Sequence, residues 1–409
     1  MKHLVIIGKT FPEPHSTAAG KRMLQLIDLF QAQDYQISFL SSAAFDENSF
    51  DLNQKNIAVQ HILLNDTSFD EVIKKLNPEI VIFDRFTTEE QFGWRVSEQA
   101  PNSLKILDTE DLHFLRSARE TAFKQNRIAE NSDLVNDVFK REIASILRCD
   151  LSLIISEFEM DLLSNHFKID KKNLHYLPLF ANNKRSKTSF LDRKNFISIG
   201  NFLHEPNWQT VLQVKKLWPS IKKQLPEAQI HIYGAYASEK VYQLHNEKEG
   251  FLIKGRAEKV ETVFNDAKVL LAPIPFGAGI KGKLLESMEL GLPNVTSSVG
   301  AEAMHGNLPW NGFISDNENE FIEKAILLYQ EETTWKQAQE NGYRIAKEKF
   351  KKELFETDFW ETIHTISKNL DEHRNANFLG QILQHHTLQS TRYLSKWIEE
   401  KNKKTNPEL

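Results

Sequence analysis

A glycine-rich loop in the second half of the chain has the composition of a phosphate-binding site. The apolar run 269–273 is typical of a buried strand, and it leads through Phe276 into Gly277-Ala278-Gly279-Ile280-Lys281-Gly282-Lys283 and then into a helical pattern. Glycines let backbone N–H groups turn toward an anion, and a helix N-terminus adds donors with partial positive charge. Two lysines at the start of a helix are unfavourable beside the positive end of its dipole, and a bound anion would offset this cost. The loop therefore predicts an anion site.

One carboxylate follows this loop at a useful spacing. Glu286 lies three residues after Lys283, so both side chains lie on the same helix face. A carboxylate accepts hydrogen bonds from a pair of hydroxyl groups, and together with phosphate donors it indicates a nucleotide with its ribose. The simpler alternative is that Glu286 pairs with Lys283 on an exposed face, which contributes about 0.2–0.5 kcal/mol.

Composition excludes several classes of protein. The chain has 409 residues, is 40% hydrophobic and carries a net charge of −5, which predicts two or three ordinary domains and disfavours nucleic-acid binding. The single cysteine, Cys149, excludes an internal disulfide and is expected to be a small core residue, and no Cys and His spacing resembles a zinc site. The apolar run near Met1 is too short for a signal peptide, and no run of 18 apolar residues follows. We expect a cytoplasmic protein with possible peripheral membrane contact.

Short apolar runs alternate with helical patterns in both halves of the chain, which predicts βαβ units and parallel sheets. The predicted strands are 4–8, 36–40, 79–83, 103–107 and 151–155, and then 196–199, 229–233, 251–253, 268–272 and 293–297. A polar segment at 177–186 interrupts the pattern and is expected to be a linker. The fold class is therefore α/β, with two doubly wound Rossmann-like domains facing each other across a cleft. We place them at 1–183 and 184–350, followed by a helical extension at 351–409 whose apolar residues are expected to pack on the body, the alternative being a partner or membrane helix.

A second group of polar residues follows a predicted strand in the first domain. The cluster 108–113, with Arg116 and Arg119 behind it, follows strand 103–107, and parallel-sheet enzymes place chemistry at the carboxyl ends of strands. Asp111 or His113 could orient the hydroxyl group of an acceptor.

Other interpretations of this region remain open. Asp111 could instead cap the helix that follows, and His113 could be an ordinary half-buried polar contact. Asp84-Arg85 and Glu89-Glu90, near the end of a neighbouring strand, are further candidates, as is the loop 12–22 after the first strand. The sequence does not choose among them.

Several short motifs, in their order and spacing, resemble the donor domain of the retaining family 4 (group 1) glycosyltransferases of the GT-B fold. The resemblance is dense over residues 195–305 and looser around 150–178, where it includes Glu159. The motifs are Gly200-Asn201-Phe202, Pro206-Asn207-Trp208, Trp218-Pro219, Ile232-Tyr233-Gly234, Gly255, Ala272-Pro273, the run from Phe276 to Glu286, Gly291-Leu292-Pro293 and Gly300-Ala301-Glu302. The resemblance also implies a terminal helix that crosses back onto the first domain.

The resemblance implies roles for individual residues. Glu286 matches the second glutamate of a pair eight positions apart, the one that binds the ribose hydroxyls. The first is replaced by Ala278, so contacts to the donor sugar would come from the backbone of the loop 277–280. Asn201 stands where many relatives have arginine, and Lys281 and Lys283 are expected to take over the diphosphate charge.

In the first domain, Ala19 and Gly20 match a small-residue turn that related enzymes place against the reacting phosphate. Lys21 and Arg22, just after it, are more typical of solvated helix residues than of phosphate ligands. The expected nucleotide-binding residues are Gly20, Gly200, Gly277, Gly279, Ile280, Lys281, Gly282, Lys283, Leu284 and Glu286.

The resemblance implies a hexosyltransferase-type enzyme that moves a sugar from a nucleotide-sugar donor to an acceptor, with retention of anomeric configuration. Asp111, His113 and Lys281 are the expected catalytic residues. No cofactor or metal is expected, because nothing resembles paired aspartates that hold a metal on a diphosphate and the lysines supply positive charge. A nucleotide-sugar epimerase, a phosphorylase and a catalytically idle nucleotide-binding subunit are the alternatives. The nucleobase, the sugar, the oligomeric state and the acceptor, whether saccharide, lipid-linked or protein, are left open.

Overall fold

Apolar runs of three to six residues form the strands of two parallel sheets. A computed structural model describes residues 2–182 and 185–405. The first sheet has seven strands in the order β3-β2-β1-β4-β5-β6-β7. These are β1 (His3–Gly8), β2 (Gln36–Ser41), β3 (Ala58–His61), β4 (Ile80–Asp84), β5 (Leu104–Asp108), β6 (Leu151–Ile154) and β7 (Leu174–Tyr176). The central strands are buried on both faces, as continuous apolar sequences predict.

Amphipathic helices cover both faces of this sheet. They are α1 (Ala18–Gln31), α2 (Ser68–Leu76), α3 (Phe86–Gln99), α4 (His113–Lys124), α5 (Asn131–Leu134), α6 (Asp137–Arg148) and α7 (Glu157–Asp161), with a π-helical turn at Leu162–His166. The N-cap of helix α1 is Thr17, whose hydroxyl accepts from Gly20 N at 2.9 Å. This cap places the first turn of α1 beside the loop that follows β1.

The second sheet repeats the plan with six strands in the order β10-β9-β8-β11-β12-β13. The strands are β8 (Lys194–Ile199), β9 (Ile230–Tyr233), β10 (Phe251–Gly255), β11 (Ala267–Ala272), β12 (Asn294–Thr296) and β13 (Gly312–Ile314). Its helices are α8 (Glu205–Gln224), α9 (Glu239–Tyr242), α10 (Val260–Asp266), α11 (Gly282–Glu289), α12 (Ser298–Ala301), α13 (Glu318–Gln330) and α14 (Glu332–Lys349). All pairings in both sheets are parallel, so the predicted α/β class with two Rossmann-like domains is confirmed.

Three helices after the second sheet return to the first domain: α15 (Glu356–Lys368), α16 (Leu370–Ala376) and α17 (Phe378–Thr405). Phe359 and Trp360 of α15 enter the core of the first domain, where the Trp360 and Phe30 ring centroids are 5.0 Å apart. Arg374 of α16 donates from Nε to Asp150 Oδ1 at 2.8 Å. The crossover that the resemblance implies is therefore present.

Helix α17 packs on α3 and α6 through its polar residues. Glu399 pairs with the buried Arg95, and Gln384 donates to Arg148 O at 2.9 Å. The expectation that the apolar residues of this tail pack on the body is wrong for a group that is 50–63% exposed: Phe378, Leu379, Ile382, Tyr393, Leu394 and Trp397. Among the described helices, none is both long and apolar enough to span a bilayer.

All ten predicted strands are present within two residues of their predicted ends. Sequence reasoning missed β3, β7 and β13, which have only three or four residues and form sheet edges, where the periodic burial signal is weakest. The predicted boundary between residues 183 and 184 lies outside the described residues.

Candidate functional site

A cavity of about 880 Å³ lies where the carboxyl ends of the two sheets face each other. Residues that follow β1, β4, β5 and β6 line one wall, and residues that follow β8, β9, β10 and β11 line the other. These include Lys9, Arg85, Glu110 and Ile155 from the first domain, and Gly200, Gly234, Arg256 and Ile274 from the second. Doubly wound sheets bind ligands at this edge.

The glycine-rich loop connects β11 to α11 and borders the cavity. Gly279 has φ +61°, and a Cβ at this position would lie 2.8 Å from Asp111 Cβ. A Cβ at Gly282 would lie 2.7 Å from Ala18 Cβ. These glycines therefore allow the first domain to approach the loop closely, a requirement that the sequence did not show.

The N–H of Gly279 is not directed into the cavity. It donates to Glu159 Oε1 at 2.8 Å, and the same oxygen accepts from Leu112 N at 3.0 Å. Glu159 is fully buried, and burial followed by the negative charge of Asp111 raises its pKa to about 8. One carboxylate thus ties the loop of the second domain to the 108–113 cluster of the first.

Lys281 and Lys283 lie at the start of α11 and line the cavity. Lys281 Nζ donates to Gly279 O at 2.7 Å, and Lys283 Nζ donates to Asn207 Oδ1 at 2.7 Å. Burial lowers the pKa of Lys281 to about 8 and that of Lys283 to about 7, the charge of Lys281 adding to the second shift. Both ammonium groups therefore bond to neutral oxygens, an arrangement that a bound anion would stabilise.

Glu286 faces the first domain instead of pairing with Lys283. It forms an ion pair with Lys21 of α1, and both residues line the cavity. Burial lowers the pKa of Lys21. The proposed ribose acceptor therefore already has a cationic partner from the opposite wall.

Asp111 and His113 both line the cavity, just before and at the start of α4. The Asp111 carboxylate pairs with Arg116, and its Oδ1 lies 3.7 Å from His113 Nδ1. Burial, the largest influence, opposes ionisation of Asp111, but Arg116 and His113 together hold its pKa below the usual range. His113 Nδ1 also lies 3.3 Å from Glu142 Oε1.

The alternative that Asp111 caps α4 is wrong. The N-cap residue is Leu112, which has no side-chain cap. The N–H groups of His113 and Phe114 instead donate to the two oxygens of buried Glu142 at 3.1 and 2.9 Å. The Asp111 carboxylate is therefore available to the cavity.

Arg119 of α4 joins the two domains. Its guanidinium donates to both oxygens of Glu302 at 2.7 and 2.8 Å and to Gly277 O at 2.7 Å. Planar bidentate contacts of this kind fix geometry. Arg119 therefore holds the donor loop from the first-domain side.

Two further residues line the cavity: His204, which the sequence analysis did not name, and Glu110, which it included in the cluster 108–113 without a role of its own. His204, at the N-cap of α8, has its pKa lowered to about 4 by burial and then by Arg116. Glu110 has φ +64°, and burial with the nearby Asp108 raises its pKa to about 8. His204 lies between the motifs 200–202 and 206–208, and this position was the one signal that could have indicated it.

The structure separates the remaining candidates. Glu89 pairs with buried Arg148, and Glu90 pairs with Arg141 at the surface, so neither lines the cavity. The expectation of a solvated Arg22 is wrong: it is buried, and its Nε donates to Asp108 Oδ1 at 2.8 Å.

The expected nucleotide-binding residues divide into two groups. Seven line the cavity: Gly200, Gly277, Ile280, Lys281, Gly282, Lys283 and Glu286. The other three do not line the cavity and contact other parts of the chain instead. Leu284 is fully buried in the core of the second domain, Gly20 packs against the backbone of Glu13, and Gly279 bonds to Glu159. Within residues 2–182 and 185–405, no three His, Cys, Asp or Glu side chains are placed to hold a metal ion.

Residues 193–331 match the family model described as glycosyl transferases group 1. A search of curated proteins found no match in sequence. The resemblance drawn from the motifs is confirmed for this segment.

Solved structures show the same two-domain fold at low sequence identity. A sucrose-phosphate synthase from Thermosynechococcus elongatus is 12% identical with a TM-score of 0.66, covering 90% of this chain and 99% of its own. TarM from S. aureus, solved as a point mutant in complex with UDP and alpha-GlcNAc-glycerol, is 10% identical with a TM-score of 0.69, covering 88% and 99%. The pneumococcal O-GlcNAc transferase GtfA, solved with UDP and GlcNAc, is 13% identical with a TM-score of 0.66, covering 89% and 99%. These likenesses confirm the GT-B fold.

Proposed function

We propose that this chain transfers a hexosyl group from a nucleotide sugar to an acceptor hydroxyl. The matched segment and the fold support a glycosyltransferase of the group 1 type. One observation carries the proposal: a single cavity brings Lys281 and Lys283 of the second domain opposite Asp111 and His113 of the first. Cations for a diphosphate and a carboxylate for a hydroxyl thus border one volume.

On the donor side, Lys281, Lys283 and the first turn of α11 would face the diphosphate. Charge develops on the diphosphate as its bond to the anomeric carbon breaks, and preorganised cations stabilise that charge. Glu286 would accept from the ribose, sharing or giving up its ion pair with Lys21. We propose UDP as the nucleotide, because TarM and GtfA, which share the fold, were solved with UDP.

On the acceptor side, Asp111 would accept a hydrogen bond from the attacking hydroxyl, and His113 would help to orient it. Arg116 and His113 keep Asp111 ionised, and an ionised carboxylate accepts a stronger hydrogen bond from a hydroxyl than a neutral carboxyl does. The acceptor oxygen bonds to the anomeric carbon as the bond from that carbon to the diphosphate breaks, and the hydroxyl proton passes to Asp111 as general base or to the departing diphosphate. Retention of configuration is proposed from the family resemblance alone, and the anomeric configuration of the product by NMR tests it.

We further propose that no metal is needed, because the lysines and the N-terminus of α11 supply positive charge to the diphosphate. Two alternatives use the same nucleotide site. An epimerase would release a second nucleotide sugar, whereas an idle subunit, suggested by Ala278 in place of a glutamate, would bind without turnover.

The test combines nucleotide binding with turnover. The full chain is incubated in EDTA with UDP-glucose, UDP-galactose and UDP-N-acetylglucosamine, and UDP release is measured with and without candidate acceptors. UDP at about 100 times its dissociation constant should stabilise the fold by roughly 2.7 kcal/mol. We expect release from one donor that Lys283→Met abolishes and that Lys223→Met, an exposed control on α8, leaves intact.

Each other outcome is distinct. No stabilisation by any nucleotide would overturn the donor site. Binding without release would indicate the idle subunit, and a second UDP-sugar would indicate the epimerase. Activity that EDTA abolishes and magnesium restores would overturn metal independence.

A further inference from the structure

Two cations on the first-domain wall of the cavity have no hydrogen-bonded anion among the described residues. Lys9 follows β1 and Arg85 follows β4, and these strands are neighbours, with Ile7 paired to Phe83. The two side chains therefore leave the sheet next to each other at its carboxyl edge. Both line the cavity, and neither has been given a role above.

Arg85 keeps its donors open although it is largely buried. Its side chain is 18% exposed, and none of its guanidinium N–H groups makes a hydrogen bond to the described part of the chain. The nearest carboxylate oxygen, Asp84 Oδ1, lies 3.7 Å from Nε. None of the Arg85 nitrogens is among the fully buried atoms without a partner, so its unpaired donors open into the cavity, where an anionic ligand can accept from them.

The backbone holds Arg85 in this position at some cost. Its φ of 70° and ψ of 159° lie in a region that is almost confined to glycine. Arg85 N donates to Asp108 O at 2.8 Å, and the Thr88 hydroxyl bonds to the carbonyls of Asp84 and Arg85 at 2.9 Å. These contacts maintain a strained residue that directs its side chain into the cavity.

No carboxylate among the described residues accepts a hydrogen bond from the side chain of Lys9 or Arg85. Lys9 Nζ makes no hydrogen bond within the described residues, and only the Lys9 backbone N–H donates to Asp84 Oδ2, at 3.0 Å. Asp108 pairs with Arg22, and Asp111 pairs with Arg116. Burial opposes the charge of the Arg85 guanidinium, but these two carboxylates, with Asp84 and Glu110, attract it and together raise its pKa, which keeps it charged. The hydrogen-bond donors of Lys9 and Arg85 are therefore left open to a ligand in the cavity.

Like charges also act between the two cations. Burial is the largest cause that lowers the pKa of Lys9, and the positive charge of Arg85 is the next. Asp84 acts in the opposite direction, and the positive charge of Arg116 adds a smaller lowering. An anion between Lys9 and Arg85 would remove this repulsion. The planar guanidinium fork suits phosphate or carboxylate oxygens in particular.

We propose that Lys9 and Arg85 bind an anionic group, a phosphate or a carboxylate, on the acceptor. This inference rests on the proposed glycosyl transfer, because it treats the first-domain wall as the acceptor side. The pair follows strands of the first sheet, whereas Lys281 and Lys283 follow a strand of the second, and the test separates the two groups by occupying the lysines with UDP first. Arg85 is also near enough to Asp111 for the two charges to interact, which places the anion close to the hydroxyl that reacts.

The test uses the full chain saturated with UDP, so that the lysines of α11 are already occupied. Inorganic phosphate, glucose 6-phosphate, glucuronate and glucose are titrated by calorimetry. We expect the charged probes to bind more tightly than glucose by about ten- to a hundredfold, the range for hydrogen bonds to charged groups. The stronger of glucose 6-phosphate and glucuronate identifies the anion.

Variants assign this binding to the two residues. Lys9→Met and Arg85→Met should each weaken the charged probe by about tenfold or more and leave glucose unaffected. Lys172→Met, an exposed lysine of the first domain, is the matched control and should change nothing. Because Lys9 is exposed to the cavity, its variant should fold even if Arg85→Met does not.

Affinity for both glucose 6-phosphate and glucuronate no higher than for glucose, or unchanged affinity for the charged probe in both variants, would overturn the inference. The UDP titration that precedes these measurements reports on the proposed function separately. Intact UDP binding with no anion preference removes the anionic acceptor alone, whereas absence of UDP binding removes the donor assignment.

Discussion

The two walls of the cavity hold their charges in different ways. On the second-domain wall, Lys281 and Lys283 donate to a backbone carbonyl and an amide oxygen, both neutral. On the first-domain wall, Asp111 pairs with Arg116 and lies beside His113. The pKa values follow: burial lowers those of the lysines to about 8 and 7, whereas its cationic neighbours keep Asp111 ionised.

This difference indicates what each wall does before a ligand arrives. The donor wall leaves two ammonium groups hydrogen-bonded to neutral oxygens, so its electrostatic energy improves when an anion binds. The ion pair around Asp111 already orients the carboxylate, so the acceptor wall needs little rearrangement. Lys9 and Arg85 are an exception on that wall, and they resemble the donor lysines because no anion among the described residues accepts a hydrogen bond from their side chains.

The largest effect is expected at Asp111. Asp111→Asn keeps the shape of the side chain but removes its charge, so transfer should fall by about 10²–10⁴-fold, the range for a lost general base. UDP affinity should change less than transfer, because the Asp111 carboxylate pairs with Arg116 and makes no hydrogen bond to Lys281 or Lys283. Turnover and UDP titration measure the two effects. Asp137→Asn, at an exposed surface pair on α6, is the control.

Normal turnover in Asp111→Asn would contradict the assignment of Asp111 to the acceptor hydroxyl. His113→Ala is a companion variant that should also lower turnover and spare UDP binding. If neither lowers it, the search would move to the loop 12–22, where His15, Ser16 and Thr17 also line the cavity.

The donor lysines should give the next largest effect. Removing a charge-assisted hydrogen bond costs about 1.5–3 kcal/mol, so Lys281→Met and Lys283→Met should each weaken UDP binding by about 10- to 150-fold. Binding of uridine should change little, because it has no phosphate. Calorimetry with both ligands measures this contrast. Equal losses for UDP and uridine would show that the lysines act on the fold of the loop and not on the diphosphate.

The pH dependence of UDP affinity should give a smaller effect that also distinguishes the two walls. Lys283 has its pKa lowered to about 7, so it loses its proton as the pH rises from 7 to 9. UDP favours the charged lysine, so binding at pH 9 requires proton uptake, and affinity should fall by up to about tenfold per pH unit. Proton uptake is measured by calorimetry in buffers of different ionisation enthalpy. Lys281, whose pKa is lowered to about 8, loses its proton over the same range, so Lys283→Met should reduce the slope without removing it. An unchanged slope in this variant would contradict the assignment.

The smallest effect is expected at Glu159, which joins the two walls. Its pKa is raised to about 8, so the carboxyl is mostly neutral at pH 7, and Glu159→Gln should preserve both hydrogen bonds and change transfer by less than about threefold. Glu159→Ala instead leaves the N–H groups of Leu112 and Gly279 unpaired, at about 1–3 kcal/mol for each. Melting temperature and turnover distinguish the two variants. Equal damage by both would show that the ionised carboxylate is required.

Much of the fold could be predicted from the sequence, because burial of strands and helices produces regular patterns of apolar residues along the chain. Parallel strands are buried on both faces and appear as continuous apolar runs, so ten strands were predicted at nearly their observed positions. The edge strands β3, β7 and β13 were missed because they are short and lack this pattern. The tail 378–405 misled the prediction because its polar residues face the body, where Glu399 meets the buried Arg95.

Within the site, sequence spacing could indicate only what depends on neighbours along the chain. The glycine loop, the lysines at the start of α11 and the position of Asp111 after β5 all belong to this class. Each is a local arrangement, and the structure places each of them on the cavity.

Partners far apart in sequence were decided by the tertiary structure. Glu286 pairs with Lys21 and not with the nearby Lys283, and Glu159 bonds to Leu112 and Gly279 at separations of 47 and 120 residues. The charge of a side chain in the cavity depends on its burial and on those distant partners, as the opposite pKa shifts of Glu159 and Asp111 show. The sequence by itself determined which groups can do chemistry, and the packing of two sheets against each other decided which of them meet and in what charge state.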